Sequence, residues 1–451
     1  MYKRTDFCDN RLCKTGNDLF NSLVKKQKVC LRGLGGTRAK EVKFGRFLRN
    51  EKASVQSLIK AETSRVAKLV PSRHILAVQD TSEINYQKHA GKVNGLGVVG
   101  NGVDAGLFLH PALIVDAEQQ EGLGLGAIHT WNRTKKACKN YQAQPIEEKE
   151  SYRWIEVADQ VKQNLHEAAQ ITFIADRESD IYEYWARIPD EKTHIISRAY
   201  HDRSLSLGIT LYQYADTLSS QFTRMVQVGD GRKSPVREAK LLISFSPITM
   251  NKPTKCRNKT TPATIDLHLI YAREVDAPEG VAPICWRLLT THAVKTNEDA
   301  AQVIDWYRQR WHIEQLFRTL KRQGLDIESS QIETSACLEK LVVMSVCAAF
   351  KIMELVLSRN GSNRMVSDIF TSDEIKVMQA LQPTLEGKTI KQKNPHSSKS
   401  LAWASWIIAR LGGWKGYQSE RPPGPVTMKY GLDQFNALYQ GWILCRDVCM
   451  P

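Results

Sequence analysis

The chain offers little cysteine chemistry. Ten cysteines are scattered over 451 residues, and no CxxC pair occurs. Cys8 with Cys13, and Cys445 with Cys449, are the only close pairs. That spacing argues against a zinc ribbon or finger and reads as reduced, partly buried thiols. His110, His129, His292 and His312 show no zinc spacing either, and read as surface or satisfied core histidines. Long apolar runs are missing. The longest, Leu341 to Phe350, is bounded by Lys340 and Lys351 and falls well short of the ~20 residues a helix needs to cross a bilayer. The opening MYKRTDFCDN has no signal-peptide core, so the expectation is a cytoplasmic protein with no membrane partner. No internal repeat is present.

Acidic charge is thin where basic charge is dense. The net charge is +15, and residues 1–70 hold 17 Lys/Arg against 6 Asp/Glu, leaving +4 for the other 381 residues. A basic head on a nearly neutral body points to nucleic acid or an anionic membrane. Arg32, Arg38, Lys40, Lys43, Arg46 and Arg49 crowd one stretch of that head, with Phe44 and Phe47 among them at helical spacing. A solvated helix face is the ordinary explanation for such a run. The concentration of the charge excess here favours contact with DNA phosphates. A chain that is 42% hydrophobic and 25% charged is not wholly disordered.

Patterning divides the rest. HILAVQD is a short apolar run ending at Asp80; DAGLFLHPALIVDAE and GLGLGAIHTW follow, and the three read as an antiparallel meander. The spacing predicts a helix over Glu147 to Ala169, then an apolar strand, ITFIAD, ending at Asp176. A strand–helix–strand crossover of this kind is parallel and right-handed, which sets Asp80 and Asp176 at the same end of neighbouring strands. DIYEYWARI reads as a helix and THIISRA as a strand ending at Arg198. From about 204 to 290 FTRMVQV, AKLLISF and TIDLHLIY alternate like strands, an all-β insertion with basic loops. Helix returns at Asn297, with Thr296 and Asp299 placed as a capping box. Gly412 suits a helix end, and a last helix is expected around 432–443. The expected domains are a basic helical DNA-binding region (1–70), a mixed α/β catalytic core (71–203 and 291–325), a β-strand insertion (204–290), and a C-terminal helical region (326–451).

Either Asp alone reads as a turn or cap residue. As a pair in one pocket they repel and need a cation, and hard oxygen ligands suit Mg²⁺ or Mn²⁺. The third element is VIDWYRQRWHIEQLFRTLK. At ~100° per residue, with Tyr307 at zero, Arg310 falls near roughly 300°, Glu314 near 340° and Lys321 near 320°. One stripe then carries four polar side chains beside Val303, Trp311 and Phe317, which is costly unless they are paired or bound. An internal salt-bridge ladder accounts for one pair of them. A fuller account joins Glu314 to Asp80 and Asp176 in a two-metal site for in-line phosphoryl displacement. Tyr307, Arg310 and Lys321 then hold DNA phosphates.

These residues resemble a known family: the DDE transposases of bacterial insertion sequences, in the insertion-sequence-four branch of the Tn-five type. The similarity rests on Tyr307-x2-Arg310-x3-Glu314-x6-Lys321, on Asp80 in QDTS and on Asp176 in ADRESD. Thr81-Ser82 stands where relatives often carry two threonines. The resemblance implies a ribonuclease-H-like core and a metal site of Asp80, Asp176 and Glu314 holding two Mg²⁺ ions, with Mn²⁺ as a substitute. It further implies Trp286 stacking on a flipped base and Arg198 holding nearby phosphates. Arg38, Lys40, Lys43 and Arg46 are expected to meet DNA. The implied partners are transposon-end DNA, target DNA and a second copy of the chain. The implied activity is cut-and-paste transposition through a hairpin. A metal-dependent nuclease without strand transfer, and a non-catalytic DNA-binding regulator, remain open beside it.

Overall fold

The computed structural model describes residues 2–100, 102–133, 144–228, 237–256, 258–361, 363–417, 420 and 422–449. The basic N-terminal stretch folds into five helices: α1 (Arg4–Phe7), α2 (Asn10–Lys26), α3 (Leu31–Gly35), α4 (Arg38–Arg49) and α5 (Val55–Ala67). Side chains open three of them. The Asp9 carboxylate accepts the Arg11 and Leu12 amides, Thr37 accepts from Lys40, and Ser54 accepts from Ser57. Each satisfies helix amides that have no intrahelical partner. Helix α4 sorts its residues by face. Phe44 and Phe47 are 1% exposed, each worth roughly 1.5–3 kcal/mol of burial. Arg38, Lys40, Lys43 and Arg46 all stand in solvent.

Strands follow: β1 (His74–Gln79), β2 (Ser82–Asn85), β3 (Gly97–Val99), β4 (Asp104–Asp116) and β5 (Gly122–Trp131). Next come α6 (Arg153–Asn164), β6 (Gln170–Ala175), α7 (Tyr182–Arg187), β7 (Thr193–Arg198) and α8 (Leu211–Thr217). Four long strands succeed them: β8 (Phe222–Val228), β9 (Arg237–Asn251), β10 (Thr264–Val275) and β11 (Cys285–Thr290). The chain ends in α9 (Asn297–Arg308), α10 (Trp311–Leu320), α11 (Ser335–Ser358), α12 (Ser372–Leu385), α13 (Leu401–Leu411) and α14 (Pro425–Cys449).

Two compact units divide these elements: residues 1–69, 81–135 and 312–451 in one, and 70–80 with 136–311 in the other. In the first, β2, β3 and β5 each pair antiparallel with β4. Helix α11 alone is long and apolar enough to cross a membrane, among the described residues, but 89% of its most apolar window is buried inside the protein. Its C-terminal half packs Ile352, Leu355 and Val356 into a core with Trp403 of α13 and Phe435 of α14.

In the second unit β1 runs parallel to β6, and β6 parallel to β7. Antiparallel pairing then continues through β11, β10, β9 and β8. The insertion strands therefore extend this unit's own sheet rather than folding apart from it. The mixed α/β class holds. Along the chain, a crossover helix, parallel strands and a strand insertion precede the helix that carries Glu314.

Some local expectations change. The crossover helix is shorter than Glu147 to Ala169: two 3₁₀ turns at Ile146–Glu148 and Glu150–Tyr152 precede α6, and a bridge from Pro71 to Ala168 pulls its end into extended chain. The stretch read as all strand contains α8, opened by a Thr210–Gln213 capping box. The last helix starts at Pro425, where the missing amide costs nothing in a first turn. The Thr296–Asp299 capping box forms as expected. Helix α13 stops at Leu411, and Gly413, at φ 88°, takes the left-handed turn beyond it.

Candidate active site

The register of the parallel strands aligns the acids. Val78 of β1 pairs with Ile174 of β6. Carried two residues further, the same register sets Asp80 opposite Asp176. Ala175 pairs with Ser197 of β7, so the next step sets Asp176 opposite Arg198. Leu288 of β11 pairs with Arg198, and Trp286, two residues on, shares its face because side chains alternate along a strand. One face of the sheet, at the carboxyl ends of β1, β6 and β7, thus carries Asp80, Asp176, Arg198 and Trp286. Carboxyl edges of parallel strands are where α/β folds place their chemistry.

Helix α9 brings in the next residue. Tyr307 is buried, and its ring meets Trp286 edge to face, centroids 5.7 Å apart. Burial pushes the Tyr307 hydroxyl above its usual pKa; Arg310 and Arg198 pull against that shift, while Asp176 adds to it. The Arg310 guanidinium donates from Nη1 to Asp80 Oδ2 at 3.3 Å. Arg198 donates from Nη2 to the Cys285 carbonyl at 2.8 Å, and burial lowers its pKa. Six of the sequence-selected residues therefore come together in one unit: Asp80, Asp176, Arg198, Trp286, Tyr307 and Arg310.

Glu314 and Lys321 belong to the other compact unit. Glu314 lies in the first turn of α10, where a carboxylate suits the positive end of the helix dipole. Lys321 sits in the turn after α10, its Nζ 3.6 Å from Glu328. The single continuous helix assumed for the Tyr–Arg–Glu–Lys stripe is not formed. Gln309 donates to the Trp306 carbonyl and Arg310 to the Tyr307 carbonyl, i to i−3 bonds that tighten the chain between α9 and α10. A uniform 100° step does not carry across that break. On α4, Arg38 pairs with Glu41 at 3.0 Å and Lys43 with Asp18 at 3.1 Å.

Sequence reasoning passed over the supports of this edge. Asp176 Oδ1 accepts the Glu178 amide at 2.9 Å, and the Asp176 carbonyl accepts from Ser179 Oγ at 2.8 Å and Ser197 Oγ at 3.1 Å. Asp180 accepts the amides of Tyr200 and His201, each at 2.9 Å, and pairs with Arg203 at 2.7 Å. These bonds fix the chain leaving β7, just past Arg198. The signal was present in ADRESD, whose second Asp follows the first by four residues.

Two carboxylates, each the first residue past the end of neighbouring parallel strands and each partly open to solvent, offer oxygen donors of the kind that suit a hard divalent cation. Among the described residues, no three His, Cys, Asp or Glu side chains are gathered closely enough to hold a metal ion. The structure thus presents a pair of ligands rather than a finished cage.

Residues 131–350 match the model of a family described as the transposase DDE domain. The matched stretch contains Asp176, Arg198, Trp286, Tyr307, Arg310, Glu314 and Lys321, and begins after Asp80. The matched segment is similar to the DDE domain of transposases, and the match implies an enzyme of metal-dependent phosphoryl transfer on DNA. A solved cryo-EM structure, the piggyBac transposase synaptic complex with hairpin DNA, is similar over 98% of this chain and 73% of that one, at 9% identity and a TM-score of 0.35.

Proposed function

We propose that the chain is a cut-and-paste transposase of the insertion-sequence-four branch, acting on the ends of its own element. The observation that carries this reading is the parallel pairing of β1 with β6 and of β6 with β7, whose strand ends lead directly into Asp80, Asp176 and Arg198, with Trp286 on the next strand. Asp80, Asp176 and, on the strength of the sequence signature, Glu314 are the proposed ligands of two Mg²⁺ ions, for which Mn²⁺ substitutes. Ions so held supply an activated nucleophile and stabilise the leaving oxygen of an in-line displacement.

The protein's own residues do the rest. Arg310, Lys321 and Arg198 donate to phosphate oxygens, where guanidinium and ammonium groups make strong charge-assisted bonds. The Tyr307 hydroxyl is kept neutral by its raised pKa and adds a donor without adding charge. Trp286 supplies a π-face for an unstacked base. The basic face of α4 grips the backbone of element-end DNA. In this scheme a first nick frees a 3′-hydroxyl, which attacks the opposite strand and closes a hairpin. The hairpin is reopened, and its 3′-end joins target DNA within a dimer of two chains.

A supercoiled donor plasmid carrying the element's own ends tests this reading, with target plasmid and Mg²⁺ present. The expected products are nicked, hairpinned, excised and target-joined DNA. Nicking without joining identifies a nuclease, and end binding without nicking identifies a regulator.

A further inference from the structure

Two ion pairs in the second unit differ in kind. Arg203 and Asp180 are sealed, with side chains 9% and 1% exposed and a 2.7 Å contact. Arg310 and Asp80 are 20% and 18% exposed, and their contact is 3.3 Å. The first is a permanent structural pair. The second lies at the partly open end of β1, and the parallel neighbour β6 leads at the same end into another carboxylate, Asp176. Adjacent carboxylates repel, and a neighbouring cation relieves that repulsion. Arg310 supplies such a charge from the tightened turn between α9 and α10.

From this we infer that Arg310 is a built-in counter-ion that competes with the divalent cation for Asp80 and yields the carboxylate when the cation binds. The inference rests on the metal site proposed above and adds a positioning role for this arginine toward its own first ligand. A guanidinium bonded to Asp80 Oδ2 competes with a cation for the negative charge of that carboxylate. In this proposal cation binding draws the Asp80 charge away from Arg310, which then turns to a DNA phosphate. Without DNA, the arginine holds cation affinity down; removing it raises that affinity.

The test titrates the full-length protein with Mn²⁺ alone, following free Mn²⁺ by electron paramagnetic resonance. Arg310→Gln is expected to bind Mn²⁺ about ten-fold more tightly than the wild type, with Arg310→Lys returning affinity toward the wild-type value. A purely structural arginine gives the opposite sign, since its loss disorders the ligands. Equal or weaker binding by a folded Arg310→Gln variant overturns the inference. A second measurement needs no variant. Phenylglyoxal labelling of Arg310, read by peptide mass mapping, should rise several-fold when Mn²⁺ is added; an unchanged or reduced yield overturns the inference. Asp80→Asn separates the two levels of the argument. It should weaken Mn²⁺ binding at least ten-fold. If it leaves binding unchanged, the metal-site reading itself fails and the counter-ion role fails with it.

Discussion

Trp286 meets Tyr307 edge to face, ring centroids 5.7 Å apart, so a strand of the insertion and helix α9 together shape the edge beside Asp176. If the indole receives an unstacked base, its loss should fall on the step that needs one. Trp286→Ala is expected to slow hairpin closure at least ten-fold more than the first nick, with base stacking worth ~1–3 kcal/mol. Equal slowing of both steps in a single-turnover assay would remove the stacking role.

Asp180 is the buried anchor of the chain leaving β7, accepting two backbone amides and pairing with Arg203. Asp180→Ala strands a buried guanidinium and two amides, and should cost about 3–5 kcal/mol. Asp180→Asn keeps an acceptor and should cost less. Urea unfolding measures both; a loss below about 1 kcal/mol for the alanine variant contradicts the anchoring role.

Helix α4 separates a buried apolar face from an exposed basic one. Phe47→Ala should lower stability by about 3–5 kcal/mol. Lys40→Ala and Arg46→Ala should leave it within roughly 0.5 kcal/mol. Each of these two should instead reduce the slope of log affinity for element-end DNA against log salt by about 0.9. Slopes identical to the wild type would take this face out of the DNA interface.

His292 gives the second unit an acid limit. It stacks on His194 at 4.0 Å, its Nε2 shares a 2.8 Å hydrogen bond with the Thr172 hydroxyl, and the Trp306 ring lies 4.9 Å away. Burial first, then the neighbouring His194 and His74, pull its pKa down to about 3. The unfolded chain, near the ordinary 6.5, binds the proton where the folded one does not. The stability this group contributes is therefore complete above pH 6.5 and is lost as pH falls toward 3. His292→Gln should flatten the stability profile across that window in urea titrations. An equally steep profile in the variant would assign the acid sensitivity to other groups.

Much of the site was legible because strands ending in Asp80, Asp176 and Arg198 announce themselves by short apolar runs. The crossover rule then fixed the direction of β1 and β6, and the pairing bears it out. Thr296 and Asp299 declared their capping box three residues apart. The break at Gln309 and Arg310 was hidden, because apolar periodicity does not distinguish an i−3 bond from an i−4 bond. The grouping of His74, His194 and His292 around Thr172 was hidden too. Its members are far apart in the chain and meet only through strand pairing. Phe44 and Phe47 showed helical spacing, while their burial depended on packing that spacing alone does not reveal.

The central claim is that Asp80 and Asp176 act together as cation-holding carboxylates. Single-turnover cleavage of element-end DNA by Asp80→Asn and by Asp176→Asn, with DNA affinity measured alongside, tests it most directly. Loss of several kcal/mol of metal-based stabilisation predicts a rate at least about 10³-fold lower for each, with end binding unchanged. Cleavage by either variant within ten-fold of the wild-type rate would contradict the account.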